Sequence, residues 1–174
     1  YRTDHGWARV RFASLFGNPQ NIFSPGTICM CDRWSTGLAI CGQPIHLGLD
    51  ARSAMAARCM VIWGGNPVES SPHYWQVVKR RLNSESRPKL IVVDPRFTEP
   101  CKYTDIWLQL RPGTDGALAL GWLNVIINQR LYDDAFVDKW CYGFEKLKER
   151  VQRYSPDKVS SITWIPEEKI IESA

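Results

Sequence analysis

Three short apolar runs, each stopped by a polar and turn-rich loop, organise this chain. Cys59-Met60-Val61-Ile62-Trp63 stops at Gly64-Gly65-Asn66-Pro67. Leu90-Ile91-Val92-Val93 stops at Asp94-Pro95-Arg96, and the run from Ile106 to Leu110 stops at Arg111-Pro112-Gly113-Thr114-Asp115. Short β-branched and apolar runs bounded by Gly, Pro and Asp read as buried strands. Between the first two, Pro72 to Asn83 predicts a helix. Pro sits in its first turn, and Trp75, Val78 and Leu82 fall on one face at spacings of three and four. A second helix is predicted from Asp115 to Gln129, with its early Asp at the positive end of the helix dipole. Strand, helix, strand, loop, strand, helix is the doubly wound pattern. The predicted fold is therefore α/β, a three-layer αβα arrangement around a Rossmann-like, mainly parallel sheet. Such sheets bind ligands in the crevice outside the carboxyl ends of their strands.

The flanks are read the same way. His5 to Phe16 predicts a helix ended by Gly17-Asn18-Pro19, since Gly and Asn suit a C-cap and Pro cannot continue. A polar loop follows to Gly26. Cys29 to Cys41 reads as an irregular turn passing into a short helix that ends at Gly42, and Gln43 to Arg58 as loop with a helical piece at Ser53 to Ala57. Beyond the core, helices are predicted at Asp133 to Cys141, Gly143 to Tyr154 and Pro166 to Ser173. The expected organisation is one αβα domain over residues 1–174, with a helical tail over residues 133–174.

Composition narrows the function classes. The longest apolar stretch, Ala117 to Ile127, holds Asn124 and falls short of the ~18 residues of a membrane span, so it reads as a buried helix and no direct membrane insertion is expected. Net charge is +4, and its main cluster, Lys79-Arg80-Arg81, reads as a solvated helix face. Aromatics do not interleave with it, which argues against a nucleic-acid platform. Six cysteines without tight regular spacing do not make a disulfide scaffold.

The three loops carry the chemistry. In Gly64-Gly65-Asn66-Pro67, bare backbone after a strand can approach a pyrophosphate and offer its N–H groups. It is not a GxGxxG sequence, so no nicotinamide fingerprint is present, and a plain turn is the bland alternative. Asp94 closes a strand where an acid accepts from a ribose hydroxyl or grips two guanine N–H donors. Arg96 suits a phosphate, and an Asp94–Arg96 ion pair at the strand end is the alternative. Asp115 offers a second carboxylate, with a helix N-cap as its other reading.

Taken together, WGGNPVES, IVVDPRFTEPCKYTD and LRPGTDGALALGWLNVII, in that order, resemble the molybdopterin oxidoreductases of the dimethyl sulfoxide reductase family. These carry a bis-molybdopterin guanine dinucleotide cofactor of molybdenum or tungsten. The resemblance implies guanine-dinucleotide binding at Gly64, Gly65, Asn66, Pro67, Glu69, Asp94, Pro95, Arg96, Thr98, Gly113, Thr114 and Asp115. It also implies a metal ligand upstream of the first strand. In SPGTICMCDRWSTG that ligand is Cys29, with Cys31 the second choice, because a thiolate is a soft donor suited to a thiol-rich site.

Family members are several times longer, so the chain, which begins with Tyr1, is expected to be an internal fragment, inactive alone. A [4Fe–4S] cluster is expected in the missing N-terminal part. The implied partners are a small-molecule substrate, the remaining domains of the same enzyme and an iron–sulfur electron-transfer subunit. NPQNIFSPGTICMCDR also resembles the acetylene-hydratase branch of the family, whose tungsten enzyme hydrates an alkyne without net redox change.

Other classes stay in view. A nucleotide-binding module without redox chemistry would keep Asp94 and Asp115 and need no thiolate at Cys29. A purely structural αβα domain would bind no guanine nucleotide. A zinc site from Cys29, Cys31, Cys41 and His46 lacks a paired CxxC. His5, His46 and His73 are read as surface or structural residues before proton-transfer groups.

Overall fold

The computed structural model describes residues 3–18, 34–40, 42 and 51–174. Contacts divide the chain into two compact units, Tyr1–Gly48 and Leu49–Ala174. In the first, helix α1 covers Thr3–Leu15. It ends as its sequence predicts: Gly17 turns left-handed at φ 83°, its N–H donates to Ser14 O, and Asn18 N–H donates to Ala13 O. That is a Schellman closure. Helix α2 covers residues 34–40, and Gly42 follows at φ 71°. The turn expected around Cys29 and Cys31 lies outside the described residues.

The second unit holds α3 (Ala51–Ala56), β1 (Cys59–Trp63), α4 (Pro67–Ser70), α5 (Pro72–Leu82) and β2 (Lys89–Val93). A 3-10 turn at Glu99–Tyr103 leads to β3 (Ile106–Leu108). Then come α6 (Asp115–Asn128), α7 (Asp134–Trp140), α8 (Phe144–Val151), α9 (Pro156–Thr163) and α10 (Glu167–Ser173). The sheet runs β1-β2-β3, parallel throughout, with Val61 opposite Ile91 and Ile91 opposite Ile106.

The central strand explains the layers. Side chains alternate across a strand, so an uninterrupted apolar run buries both faces. Leu90 and Val92 pack with Ala54, Trp75, Val78 and Leu82, the faces of α3 and α5. Ile91 and Val93 pack on the other side with Leu118 of α6, Val159 of α9, Ile170 of α10 and Ile165 in the link between the last two. The three helix positions read from spacing, Trp75, Val78 and Leu82, are all buried. Buried Asn124 in α6 donates from Nδ2 to Val151 O at 2.9 Å, a carbonyl at the end of α8 that also accepts Tyr154 N–H at 2.9 Å.

Several elements differ from the sequence expectation. Helix α9 is absent from it, because Val159-Ser160-Ser161-Ile162-Thr163 is a β-branched and hydroxyl-rich run of weak helix propensity. Burial of Val159 and Thr163 overrides that propensity. The residues of the α4 turn and of the 3-10 turn read as loop in the sequence. Strand β3 stops at Leu108 rather than Leu110: Leu110 N–H turns back to Leu108 O, and Arg111 N–H goes to Thr163 O at 2.8 Å. The chain thus leaves the sheet to dock on α9.

The α6–α9 contact depends on a missing side chain. A Cβ at Gly121 would lie 2.9 Å from Val159 Cγ2. Gly121→Ala gains roughly 1 kcal/mol of helix propensity but overpacks this contact, which costs about 1–3 kcal/mol. The expected result is a net loss of stability in urea titrations. A stabilised Gly121→Ala would show that the helices move apart freely.

Asp105 closes the entry to β3. Its Oδ2 accepts Leu90 N–H at 2.8 Å and pairs with Arg87 at 2.7 Å. Burial pushes this carboxyl up, but the Leu90 N–H, Arg87 and Lys89 outweigh it and hold it below its ordinary value. A lowered folded value stabilises above the unfolded pKa of about 3.9 and is lost as pH falls through the folded value. Asp105→Ala is expected to cost about 1–3 kcal/mol at pH 7 by leaving Leu90 N–H unpaired. In urea titrations the wild-type advantage should narrow below about pH 4. An advantage that is independent of pH would refute the assignment.

Candidate functional site

The carboxyl ends of the strands meet through backbone and side-chain bonds. Gly64 follows β1 at φ 58°, a region that favours glycine. Its N–H donates to Val93 O at 2.8 Å, which ties the first loop to the end of β2. Pro67 then opens α4 at its first turn, where a missing N–H costs nothing. The Asn66 carbonyl accepts from Glu69 and Ser70 N–H and from Ser70 Oγ at 3.0 Å. Its side-chain Oδ1 is buried and has no hydrogen-bond partner among the described residues. Native proteins rarely leave such an oxygen unpaired, so it calls for a donor.

The second loop is fixed around Asp94, which is buried. Its Oδ1 accepts Arg96 N–H at 2.8 Å, and its carbonyl accepts Trp107 Nε1–H at 2.9 Å. Gln109 Nε2 donates to Pro95 O at 3.1 Å. The alternative of an Asp94–Arg96 ion pair is corrected here: Asp94 takes the backbone of Arg96, an Asx turn that leaves the guanidinium outside the pair. Arg96 instead lines a cleft of about 260 Å³ with Asn66, Val68, Glu69, Phe97, Thr98 and Glu99. Glu99 is paired with Lys102 at 2.6 Å, and buried Thr98 has its Oγ1 3.6 Å from Cys101 Sγ.

The third loop turns at Gly113, φ 82°, and Thr114 Oγ1 donates to Arg111 O at 2.6 Å. Asp115 is the first residue of α6; the N-cap position belongs to Thr114, with no side-chain capping bond. The N-cap reading of Asp115 is thereby corrected. Its Oδ1 instead accepts Trp63 Nε1–H at 2.7 Å. Trp63, the last residue of β1, stacks edge-on against Trp122 at 5.1 Å. Sequence reasoning did not single out Trp63; its one signal is an indole at a strand end, just before Gly64-Gly65.

Loops one and two thus share the cleft, through Asn66, Glu69, Arg96 and Thr98. Gly113, Thr114 and Asp115 do not line it; they stand where α6 begins and are joined to the end of β1 by Trp63. Buried acceptors, an Arg96 guanidinium with no ion-pair partner among the described residues, and open glycine backbone suit a ligand bearing N–H or O–H donors together with phosphate. Cys29, Cys31, Cys41 and His46 lie outside the described residues. Among the described residues no group of three His, Cys, Asp or Glu side chains is placed to hold a metal ion.

A family model described as molybdopterin oxidoreductase matches residues 27–170. Over 164 residues the chain is 41% identical to the acetylene hydratase of Syntrophotalea acetylenica, covering 93% of this chain and 21% of that protein. It is 37% identical over 140 residues to the F420-dependent formate dehydrogenase subunit alpha of Methanocaldococcus jannaschii, covering 80% of this chain and 20% of that subunit. It is 31% identical over 144 residues to the dimethyl sulfoxide reductase DmsA of Escherichia coli, covering 68% of this chain and 17% of that protein. Among solved structures, the acetylene hydratase from Pelobacter acetylenicus matches with a TM-score of 0.70 and 37% identity, over 95% of this chain and 22% of that one. The chain therefore spans about a fifth of the length of these relatives. With its three loops in family order and the family model matched over residues 27–170, the chain belongs to the molybdopterin oxidoreductase family.

Proposed function

We propose that this segment binds one guanine dinucleotide arm of a bis-molybdopterin guanine dinucleotide cofactor of molybdenum or tungsten, and that Cys29 supplies the metal ligand. The observation that carries the reading is the buried Asn66 Oδ1, unpartnered among the described residues, in a residue that lines the cleft with Arg96. A ribose, guanine or pterin offers the donor that this oxygen lacks, and the attached phosphates suit Arg96.

Each residue then has a role. Gly64 and Gly65 leave room for close backbone approach, while Pro67 and Pro95 fix the turns that follow. Asp94 accepts through the oxygen not committed to Arg96 N–H. Glu69 and Thr98 add an acceptor and a hydroxyl at the cleft. Gly113 and Thr114 shape the third loop, and Asp115, oriented by Trp63, offers a carboxylate to guanine N–H donors. When bound, the cofactor supplies the two-electron chemistry at its metal; the residues of this chain hold and orient it.

In the complete protein this reading gives a molybdopterin-dependent oxidoreductase acting on a small molecule. It would carry a [4Fe–4S] cluster elsewhere in the polypeptide and pass electrons to an iron–sulfur subunit. A second reading, a tungsten acetylene-hydratase-like lyase, is supported by the 41% identity over 93% of this chain. Elemental analysis of the full-length protein purified without oxygen tests both. Either reading expects stoichiometric Mo or W. Tungsten with acetylene hydration, and no transfer of electrons to a dye, selects the second; dye-linked turnover selects the first. Absence of both metals would overturn the proposal.

A further inference from the structure

Trp164 stands in a backbone conformation that its side chain disfavours. It closes α9 in the left-handed region, φ 66° and ψ 10°, a C-cap position that usually falls to glycine. Its neighbours are anchored: Thr163 is fully buried and Ile165 is 1% exposed. Trp164 itself is 69% exposed, so the indole adds little to the core. What it touches is Arg111, whose guanidinium lies over the ring at 5.3 Å.

Arg111 in turn anchors the third loop. Its N–H donates to Thr163 O at 2.8 Å. Its carbonyl accepts Thr114 N–H at 3.2 Å and Thr114 Oγ1–H at 2.6 Å. The turn thus pinned contains Gly113 and delivers Asp115 to the start of α6.

We propose that Trp164 is a positioning residue for the cofactor site: its indole clamps Arg111, and through it the Arg111–Asp115 turn. This rests on the reading of that turn as part of a guanine-dinucleotide site. The clamp explains why a bulky residue occupies a position where glycine would be relaxed. It also predicts opposite effects on stability and on ligand retention, which a merely structural residue would not produce.

The test uses the full-length protein, with two readouts. One is the thermal midpoint of cofactor-free protein; the other is GMP released by acid hydrolysis after gel filtration. Trp164→Gly should leave the midpoint at or above wild type, because glycine accepts the left-handed backbone. It should lower retained GMP by about two- to five-fold, the share of an exposed cation–π contact. Trp164→Tyr, which keeps a ring face, should retain GMP near the wild-type level. Arg111→Lys, which cannot lie flat on the ring, should lower retained GMP as Trp164→Gly does, without relaxing the backbone at Trp164. Wild-type GMP in Trp164→Gly overturns the inference and leaves the parent reading standing, and midpoint and GMP falling together would assign Trp164 a structural role and overturn it too. Wild-type protein without GMP overturns the parent reading and this inference with it.

Discussion

Asp94→Ala in the full-length protein is expected to lose most of its guanine nucleotide on dilution, while Asp94→Asn keeps an intermediate amount. Asp94 is buried at the end of β2, where its Oδ1 holds Arg96 N–H at 2.8 Å. No second protein partner takes its other oxygen among the described residues. Alanine removes both the turn bond and the charged acceptor offered to the ligand. One charge-assisted hydrogen bond is worth about 1.5–3 kcal/mol, which is roughly one to two decades in affinity. Asparagine restores the acceptor for Arg96 N–H but not the charge, so the difference between the two variants isolates the charged contact. Equilibrium dialysis with GMP quantification reads the result. If Asp94→Ala retained wild-type GMP, Asp94 would hold the loop and nothing else.

The second large effect belongs to Cys29. Cys29→Ala should abolish turnover in the full-length enzyme, with its fold intact and Mo or W retained. On the proposed reading a thiolate at Cys29 would set the charge and potential of the bound metal, while the sulfur donors of the cofactor would still hold it. The expected signature is a normal metal content with an altered metal spectrum. Cys31→Ala should be far milder. Lost activity in Cys31→Ala but not in Cys29→Ala would move the ligand by two residues. An unchanged spectrum in both would remove the cysteines of this segment from the metal.

The strands were legible for a physical reason. Strand β2 buries both faces, so no polar residue interrupts Leu90 to Val93, and Asp94 marks its end sharply. Helix α5 was legible because one face alone is buried, and Trp75, Val78 and Leu82 keep the helical spacing. Helix α9 was not, since its stability comes from burial against α6 rather than from its own residues. The sequence did carry one hint in Ser155-Pro156-Asp157, a capping residue followed by a first-turn proline. At the site, sequence gave the loops and their residue types but not the pairings. That Asp94 takes the backbone of Arg96, and that Trp63 reaches Asp115 across 52 residues, depend on which strand ends lie side by side. No local pattern encodes such a distance.

The claim that this segment holds a guanine dinucleotide is tested most directly by the nucleotide content of the full-length protein. The protein is purified without oxygen, stripped of free nucleotide and hydrolysed in acid, and the released nucleotides are separated and quantified beside Mo and W. The account predicts GMP in molar excess over the metal, as a bis-dinucleotide cofactor requires. Stoichiometric metal with no guanine nucleotide would contradict it.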